Sequence, residues 1–263
     1  MSGNSSFELV SERGWRRGFN NLLNNELARW WKTRMWWIQC LIWGGMIGFM
    51  LGAVLFSTRD FQIEGGLMIY AIFAGIFPAV AVVIIMQGVL VGEKRDGTAT
   101  WVMSKPVARP AFILSKMLAN SLGVLATMVV LPGLVAYVIF FIRMQAALNP
   151  LRFLAALGVL FLNQFFYLTL TLMLGSFFNS RGPVIGISLA FLFMQQYLIG
   201  LLPGLRYVLP WTLVAPLNNT TDAIVPAMLS GQPIYSSLPL LTVALECILF
   251  VLIALWRFNR EEF

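Results

Sequence analysis

Residues 67–91 read LMIYAIFAGIFPAVAVVIIMQGVLV, and the polar stretch GEKRDGTATWVMSKPVAR follows directly at residues 92–109. The first stretch has no charged residue. As a helix it is long enough to cross a hydrocarbon core of about 30 Å, since each residue adds about 1.5 Å. The second stretch carries charges of both signs and the helix-breaking residues Gly97 and Pro106. This abrupt change predicts a transmembrane helix that ends at an aqueous surface.

The rest of the chain repeats this alternation of apolar and polar segments. Of all residues, 59% are hydrophobic and 11% are charged, whereas a soluble domain carries about 25% charged residues. Membrane lipid must therefore be the main solvent of the chain. The other predicted spans are residues 35–56, 118–142, 153–178, 184–202 and 238–256. We predict an all-α integral membrane protein with six transmembrane helices.

Residues 1–34 form a basic segment ahead of a six-span domain at residues 35–263. The segment has no apolar run that could serve as a cleavable signal peptide. Apolar residues such as Leu23, Leu27 and Trp31 recur at helical spacing, with asparagines and basic residues between them. This pattern predicts an amphipathic helix that lies in the membrane interface.

The distribution of basic residues predicts the orientation. Most of the 18 Lys and Arg residues fall into one set of alternate segments, which are residues 1–34, 92–117, 179–183 and 257–263. By the positive-inside rule, these segments and both termini are cytoplasmic, in the inner (plasma) membrane. The net charge of +7 is then explained by the basic residues that orient the chain in the membrane. We therefore expect no nucleic-acid partner. On the external side, the proline-rich residues 203–237 predict short helices between the fifth and sixth spans.

The polar stretch after the second span is punctuated in a way that predicts a short helix. Gly97 interrupts the preceding helix, and the hydroxyl of Thr98 can cap the next one. Pro106 ends this element, because the residue before a proline is pushed towards an extended conformation. Trp101 lies between these signals. The residues alone leave two interpretations open, a solvated connector or a helix on which a soluble partner docks.

The same stretch resembles a motif of the second family of ABC transporter permeases, which share the type V exporter fold. The motif has the form E-(K/R)-x-x-G-T, then S-(K)-P-V-x-R, then a later K. The matching residues here are Glu93, Arg95, Gly97, Thr98, Ser104, Pro106, Arg109 and Lys116. The chain departs from the family at Ala99 and Thr100, where Leu-Glu is common. The six spans and the flanking helices resemble the family as well.

The resemblance implies that the stretch is a cytoplasmic coupling helix seated on a separate ATPase subunit. It implies an exporter with two ATPase subunits and two permease chains, identical or different. This chain has no GxxxxGK[ST] phosphate loop, so ATP and Mg²⁺ would bind only to the partner, and this chain itself would bind no cofactor. The residues predicted to contact the ATPase subunit are Glu93, Lys94, Arg95, Asp96, Gly97, Thr98, Trp101, Lys105, Pro106 and Arg109.

Two stripes of small residues can bring helices close together. Gly44, Gly48 and Gly52 recur every four residues in the first span, and Gly182 and Gly186 begin the fifth. Packing within one chain and packing between two permeases both remain open. The resemblance favours the second, because the first and fifth spans lie near the dimer axis in this family.

Polar residues inside spans mark a possible translocation path. The candidates are Asn163, Tyr167, Thr171, Gln195, Gln196 and Glu246. Glu246 has no Lys or Arg at matching depth, so we expect it to be protonated or hydrogen-bonded, with Thr242 as its neighbour. The alternative for all of these residues is hydrogen bonding between helices.

Catalysis is not expected of this chain. It has no histidine, no nucleophile–base constellation, no acidic pair and no metal-type cysteine spacing, so we predict no catalytic and no metal site. The main alternative to an ABC permease is a secondary carrier or channel driven by an ion gradient. Such proteins usually show inverted repeats and several intramembrane charges. A non-transporting membrane anchor or an intramembrane enzyme is a further alternative.

Overall fold

The computed structural model describes residues 14–57, 63–144, 148–217 and 222–261. The described residues contain helices and no strand. Six of the helical segments are long and apolar enough to cross a membrane. The prediction of an all-α membrane protein with six spans is therefore confirmed. Residues 1–13 of the predicted N-terminal segment and the last two residues of the chain lie outside the described part.

The helices follow the predicted order. The interfacial segment is α1 (Phe19–Trp31), and the first two spans are α2 (Met35–Ser57) and α3 (Ile63–Met86). The connecting stretch forms α4 (Val91–Arg95) and α5 (Thr98–Met103). The third span comprises α6 (Arg109–Val124), a π-helix (Leu125–Val130) and α7 (Leu131–Met144). The remaining helices are α8 (Pro150–Phe177), α9 (Arg181–Leu201), α10 (Trp211–Val214), α11 (Ile224–Ser230) and α12 (Leu238–Asn259).

Helix α8 is the centre of the bundle. It packs against α3, α9, α11 and α12, and its buried share is the highest of the six spans. Its start is defined locally, since Asn149 caps the helix by accepting hydrogen bonds from the N–H groups of Leu151 and Arg152. Pro150 occupies the first turn, where its missing N–H costs nothing. The other spans therefore expose more of their surface than α8 does.

The second and third spans differ from the apolar runs at their ends nearest the connecting stretch. Helix α3 ends at Met86, and a turn at residues 87–90 separates it from α4. Helix α6 begins at Arg109, with Pro110 in its first turn, and leads through Lys116 into the apolar run that starts at residue 118. Its first turns contain polar residues that are nevertheless buried, such as Ser115, Lys116 and Asn120. A hydropathy pattern cannot detect a helix whose polar residues find partners inside the protein.

A proline in each of these spans changes the backbone hydrogen bonding. Pro78 cannot donate to the carbonyl of Ala74, which a regular α-helix would require. The amide of Gln164 donates to the carbonyls of Ala74 and Gly75, at 3.1 and 2.9 Å, and Asn163 donates to Gly75 at 2.9 Å. In the third span the π-helix lies just before Pro132, and the N–H of Leu131 donates to Ala126, five residues earlier.

The segment between the fifth and sixth spans packs more deeply than predicted. A side chain at Gly75 would place its Cβ 2.5 Å from the Cβ of Val214, so α10 lies directly against α3. Thr212 is fully buried, and its hydroxyl donates to the carbonyl of Arg206 at 2.8 Å. Protein atoms therefore cover this short, irregular stretch, as backbone at membrane depth requires.

Candidate functional site

The stretch between the second and third spans forms two short helices that meet at Gly97. Gly97 has φ 72°, a left-handed conformation that side chains other than glycine rarely adopt, and it occupies the N-cap position of α5. Thr98 is therefore the first helical residue and makes no cap; its hydroxyl donates to the carbonyl of Glu93 at 3.2 Å. The expectation that Thr98 caps α5 was wrong, because the glycine makes the turn and Thr98 closes the end of α4.

Helix α5 presents one face to the bundle and the other to the outside. Ala99 is buried, and Val102 and Met103 pack against the core. On the opposite face Trp101 is 62% exposed. The ammonium of Lys105 lies 3.4 Å from the centre of its ring, at cation–π distance. The aromatic ring is thus held in place by its own segment and remains available for contact.

The charged residues of α4 divide between the two sides. Arg95 and Asp96 are exposed. Lys94 points inward, where its ammonium donates to the carbonyl of Ser176 at 2.9 Å and lies 2.8 Å from a carboxylate oxygen of Glu261. Lys94 therefore attaches α4 to the end of α8 and to the residues that follow α12.

Lys116 forms the centre of a second ionic cluster. Its side chain is 2% exposed, and its ammonium contacts the carboxylates of both Glu26 and Glu93. A buried ammonium is costly unless it is paired and hydrogen-bonded, and here two acceptors meet that need. The three residues belong to α6, α1 and α4, so we call them the Lys116 cluster. The cluster ties the interfacial helix and the connecting stretch to the third span.

Uncharged contacts reinforce the attachment of α1. The indole N–H of Trp30 donates to the side chain of Asn120 at 3.0 Å. Gly123 has no room for a Cβ, because the Trp30 ring lies directly over it. Nearer the start of the described chain, the N–H of Ala108 donates to the carbonyl of Arg17 at 3.0 Å. The interfacial segment is therefore packed against the third span along most of its length.

The last span joins the same region. A guanidinium N–H of Arg109 donates to the carbonyl of Asn259 at 2.6 Å. The rings of Phe112 and Phe258 stack with their centres 5.3 Å apart. The start of α6 and the end of α12 are thus joined by both a polar and an apolar contact.

The residues predicted to contact an ATPase subunit therefore fall into two groups. Glu93, Lys94 and Arg109 are bonded inside the chain. The exposed group, which we call the docking face, consists of Arg95, Asp96, Gly97, Thr98, Trp101, Lys105 and Pro106. The inward group fixes the backbone from which the docking face projects.

The small-residue stripes have different surroundings. A Cβ at Gly44 would lie 3.2 Å from Leu131, and one at Gly48 would lie 3.5 Å from Val135, so both face α7 of the same chain. Gly52 has open space at its Cβ position, and so do Gly182 and Gly186. The start of α9 therefore has a small-residue surface that the described residues leave uncovered.

Most of the polar residues inside the spans form a buried network. Asn163 bonds to the kinked part of α3, as described above. The side chain of Gln195 donates to the Tyr167 hydroxyl at 2.5 Å and accepts from the N–H of Trp211 at 2.9 Å. The Thr171 hydroxyl donates to the carbonyl of Tyr167 in its own helix at 2.7 Å and lies 3.4 Å from the Ser188 hydroxyl of α9. These contacts favour hydrogen bonding between helices over lining of a path for these residues.

Gln164 belongs to this network but was not among the predicted residues. The feature of the sequence that could have identified Gln164 is Pro78. A proline frees carbonyl groups in its own helix, and a polar side chain on a neighbouring helix must then satisfy them. Two adjacent amides on α8, Asn163 and Gln164, were available to do so.

Gln196 and Glu246 have different environments. Gln196 is exposed and lines an open cavity of about 390 Å³ together with Pro203 and Arg206. Glu246 is half-buried, and its Oε2 atom has no hydrogen-bond partner among the described residues. Thr242 does not serve as the expected partner of Glu246, because its hydroxyl donates to backbone carbonyls, including that of Tyr207 at 2.6 Å.

Comparison with known protein families gives one match. The model described as ABC-2 family transporter protein matches residues 53–263, which include the docking face and five of the six spans. No curated protein sequence matches the chain. In the described part of the chain, no group of three or more His, Cys, Asp or Glu residues is arranged to hold a metal ion.

Proposed function

The chain belongs to the ABC-2 family of transporter proteins, and from that premise we propose that its docking face couples ATP hydrolysis on a separate subunit to export of a substrate. As a member of this family, the chain is the multi-pass permease subunit of an ABC transporter and associates with an ATPase subunit. The proposal concerns the direction of transport, the route of coupling and the composition of the assembly.

The observation that carries the proposal is the division of the connecting stretch into an exposed face and an anchored back. Trp101 projects outward, while Ala99 and the Lys116 cluster fix the opposite side to the bundle. A flexible connector would need no buried anchor. A rigid element held between two spans can transmit a displacement, because packed interiors deform little.

The anchors define which parts would move with the docking face. Helix α4 continues towards α3 through the turn at residues 87–90, and Lys94 joins it to Glu261. Glu93 joins it to Lys116 on the third span. A push on α5 would therefore reach the second and third spans together and carry α1 along through Glu26. We propose that this displacement switches access to a cavity between two permease chains.

The assembly would contain two copies of the ATPase subunit and a second permease chain. The uncovered glycines of α9, Gly182 and Gly186, offer a surface on which a second permease could pack closely. Of the predicted path residues, Gln196 and Glu246 do not take part in the buried network, so they are the better candidates for contact with substrate. The docking face would lie on the cytoplasmic side, as would both termini.

The experiment compares Trp101→Ala with Trp36→Ala. Trp36 is also partly exposed but lies in α2, away from the docking face. The tagged chain is purified from its native membrane, and the ATPase activity of the eluate is measured. We expect Trp101→Ala to lower the recovered activity at least tenfold, because exposed tryptophans are frequent binding hot spots, and Trp36→Ala to leave it unchanged. Equal recovery with both variants would refute the docking assignment.

The same material tests the alternative of an ion-gradient carrier or channel. Liposomes that contain the chain without any ATPase subunit would then transport substrate when an ion gradient is applied. Under our proposal they do not, and transport requires both the second subunit and ATP.

A further inference from the structure

An apolar groove runs between the interfacial helix and the third span, on the outer surface of the bundle. It has a volume of about 610 Å³, within the range of pockets that hold small ligands. Leu27 and Trp31 of α1 form one wall, and Leu122, Ala126, Val130 and Leu134 form the other. Its lining is almost entirely apolar.

The π-helix straightens the second wall of this groove. The residues of this wall are spaced by four along the chain. In an α-helix, four residues rotate about 40° beyond a full turn, so successive wall residues would turn progressively away from the groove. The wider i→i+5 turn of Leu125–Val130 takes more residues per turn and reverses part of that rotation. An extended chain can therefore lie along the groove over several turns of the third span.

Positive charge continues the α1 wall of the groove along the chain. Lys32 directly follows Trp31, which lines the groove, and Arg34 follows in the link to α2. Both are exposed, and their side chains have no hydrogen bond or ion pair within the described residues. Each basic residue close to a membrane surface strengthens binding to anionic lipid. Apolar walls beside a basic end match one kind of molecule, an acidic headgroup attached to hydrocarbon.

We propose that this groove is a binding site for one anionic phospholipid, with an acyl chain along the wall residues and its phosphate against Lys32 and Arg34. The walls belong to α1 and the third span, which the Lys116 cluster joins. A bound lipid would thus brace the interfacial helix against the span that follows the docking face. The inference does not rest on transport and is tested on the isolated chain.

The test counts lipids bound to the purified, delipidated chain by native mass spectrometry. Dioleoyl phosphatidylglycerol and dioleoyl phosphatidylcholine are titrated separately. We expect one phosphatidylglycerol per chain to bind at least tenfold more tightly than phosphatidylcholine. Glycerol 3-phosphate, which has the acidic group but no acyl chain, is expected not to displace it.

Two variants test the two halves of the site. Lys32→Gln with Arg34→Gln should weaken phosphatidylglycerol binding by about 25-fold, since each charge contributes about fivefold. Ala126→Phe, which fills the groove without a change in charge, should abolish the preferential binding. The matched controls are Arg152→Gln, which removes an exposed positive charge elsewhere, and Leu245→Phe, which enlarges an exposed residue of α12.

Several results would overturn the proposal. Equal affinity for the two lipids would show that charge does not contribute to binding. The same conclusion would follow if Arg152→Gln weakened phosphatidylglycerol binding as much as the double variant does. Displacement by glycerol 3-phosphate would indicate a phosphate site without a place for hydrocarbon. If Ala126→Phe abolished self-association of the chain and left phosphatidylglycerol binding intact, the groove would be an interface with a second copy instead.

Discussion

Replacement of Lys116 by methionine tests the central anchor of the docking face. The substitution keeps the length of the side chain and leaves the carboxylates of Glu26 and Glu93 without their cation. The Lys116 side chain is 2% exposed, whereas the side chains of Glu26 and Glu93 are 15% and 24% exposed. Removal of one partner from a buried ion pair costs about 3–5 kcal/mol. Because both carboxylates reach solvent, we expect the lower value, about 3 kcal/mol.

For a chain of this size, about 3 kcal/mol corresponds to a fall in Tm of roughly 6–12 °C. Thermal unfolding of the purified chain in detergent, followed by tryptophan fluorescence, measures it. The control is Lys32→Met, which removes an exposed and unpaired charge and should leave the Tm within about 1 °C, since such surface changes stay within about 0.5 kcal/mol.

A charge-balanced variant separates loss of the cation from loss of the charged cluster as a whole. Lys116→Met combined with Glu26→Gln and Glu93→Gln leaves no uncompensated charge. Replacement of a complete buried ionic cluster is often neutral or stabilising, so the Tm should return to near that of the wild type. A normal Tm for Lys116→Met alone, or no recovery in the triple variant, would refute the assignment of this cluster as a buried anchor.

Two further predictions concern the contacts around the kinked second span, and both are measured by thermal unfolding in detergent. Gln164→Leu leaves the freed carbonyl of Ala74 without its side-chain donor and should destabilise the fold by about 1–3 kcal/mol, whereas Gln196→Leu, at an exposed position, should not; equal Tm values for the two would contradict the role given to Gln164. Gly75→Ala forces a Cβ against Val214 and should cost about 1–3 kcal/mol. Gly182→Ala, which meets open space, serves as its control, and a neutral Gly75→Ala would show that α10 does not pack as closely as described.

The spans were predictable because hydropathy depends on local composition alone. The run from residue 67 must be helical to satisfy its backbone in lipid, whatever surrounds it. The break at Gly97 and the stop at Pro106 were equally local, and both appear in the structure. Hydropathy alone detects the third span only from residue 118, because it cannot show that the polar residues before that point are buried. Lys116 and Asn120 are buried because α1 supplies Glu26 and Trp30, which lie far away in the sequence.

The candidate site shows the same limit. Sequence position placed Glu93, Lys94 and Arg109 beside the exposed residues of the stretch, and nothing local distinguishes an inward lysine such as Lys94 from an outward one such as Lys105. Their partners lie on two other segments, with Lys116 on α6 and with Asn259 and Glu261 at the end of α12 and just beyond it. The need for Gln164, by contrast, follows from Pro78, because a missing N–H implies a carbonyl that another side chain must satisfy.

The contacts with the end of α12 have a consequence for how the protein is made. Arg109 bonds to a residue 150 positions later in the chain. Glu261, the ion-pair partner of Lys94, likewise lies after the sixth span. A ribosome that releases the helices in order leaves these two contacts unmade until the sixth span has been synthesised and inserted. Under the proposed function, the support of the docking face is therefore completed last, and we expect truncated or half-inserted chains not to bind the ATPase subunit.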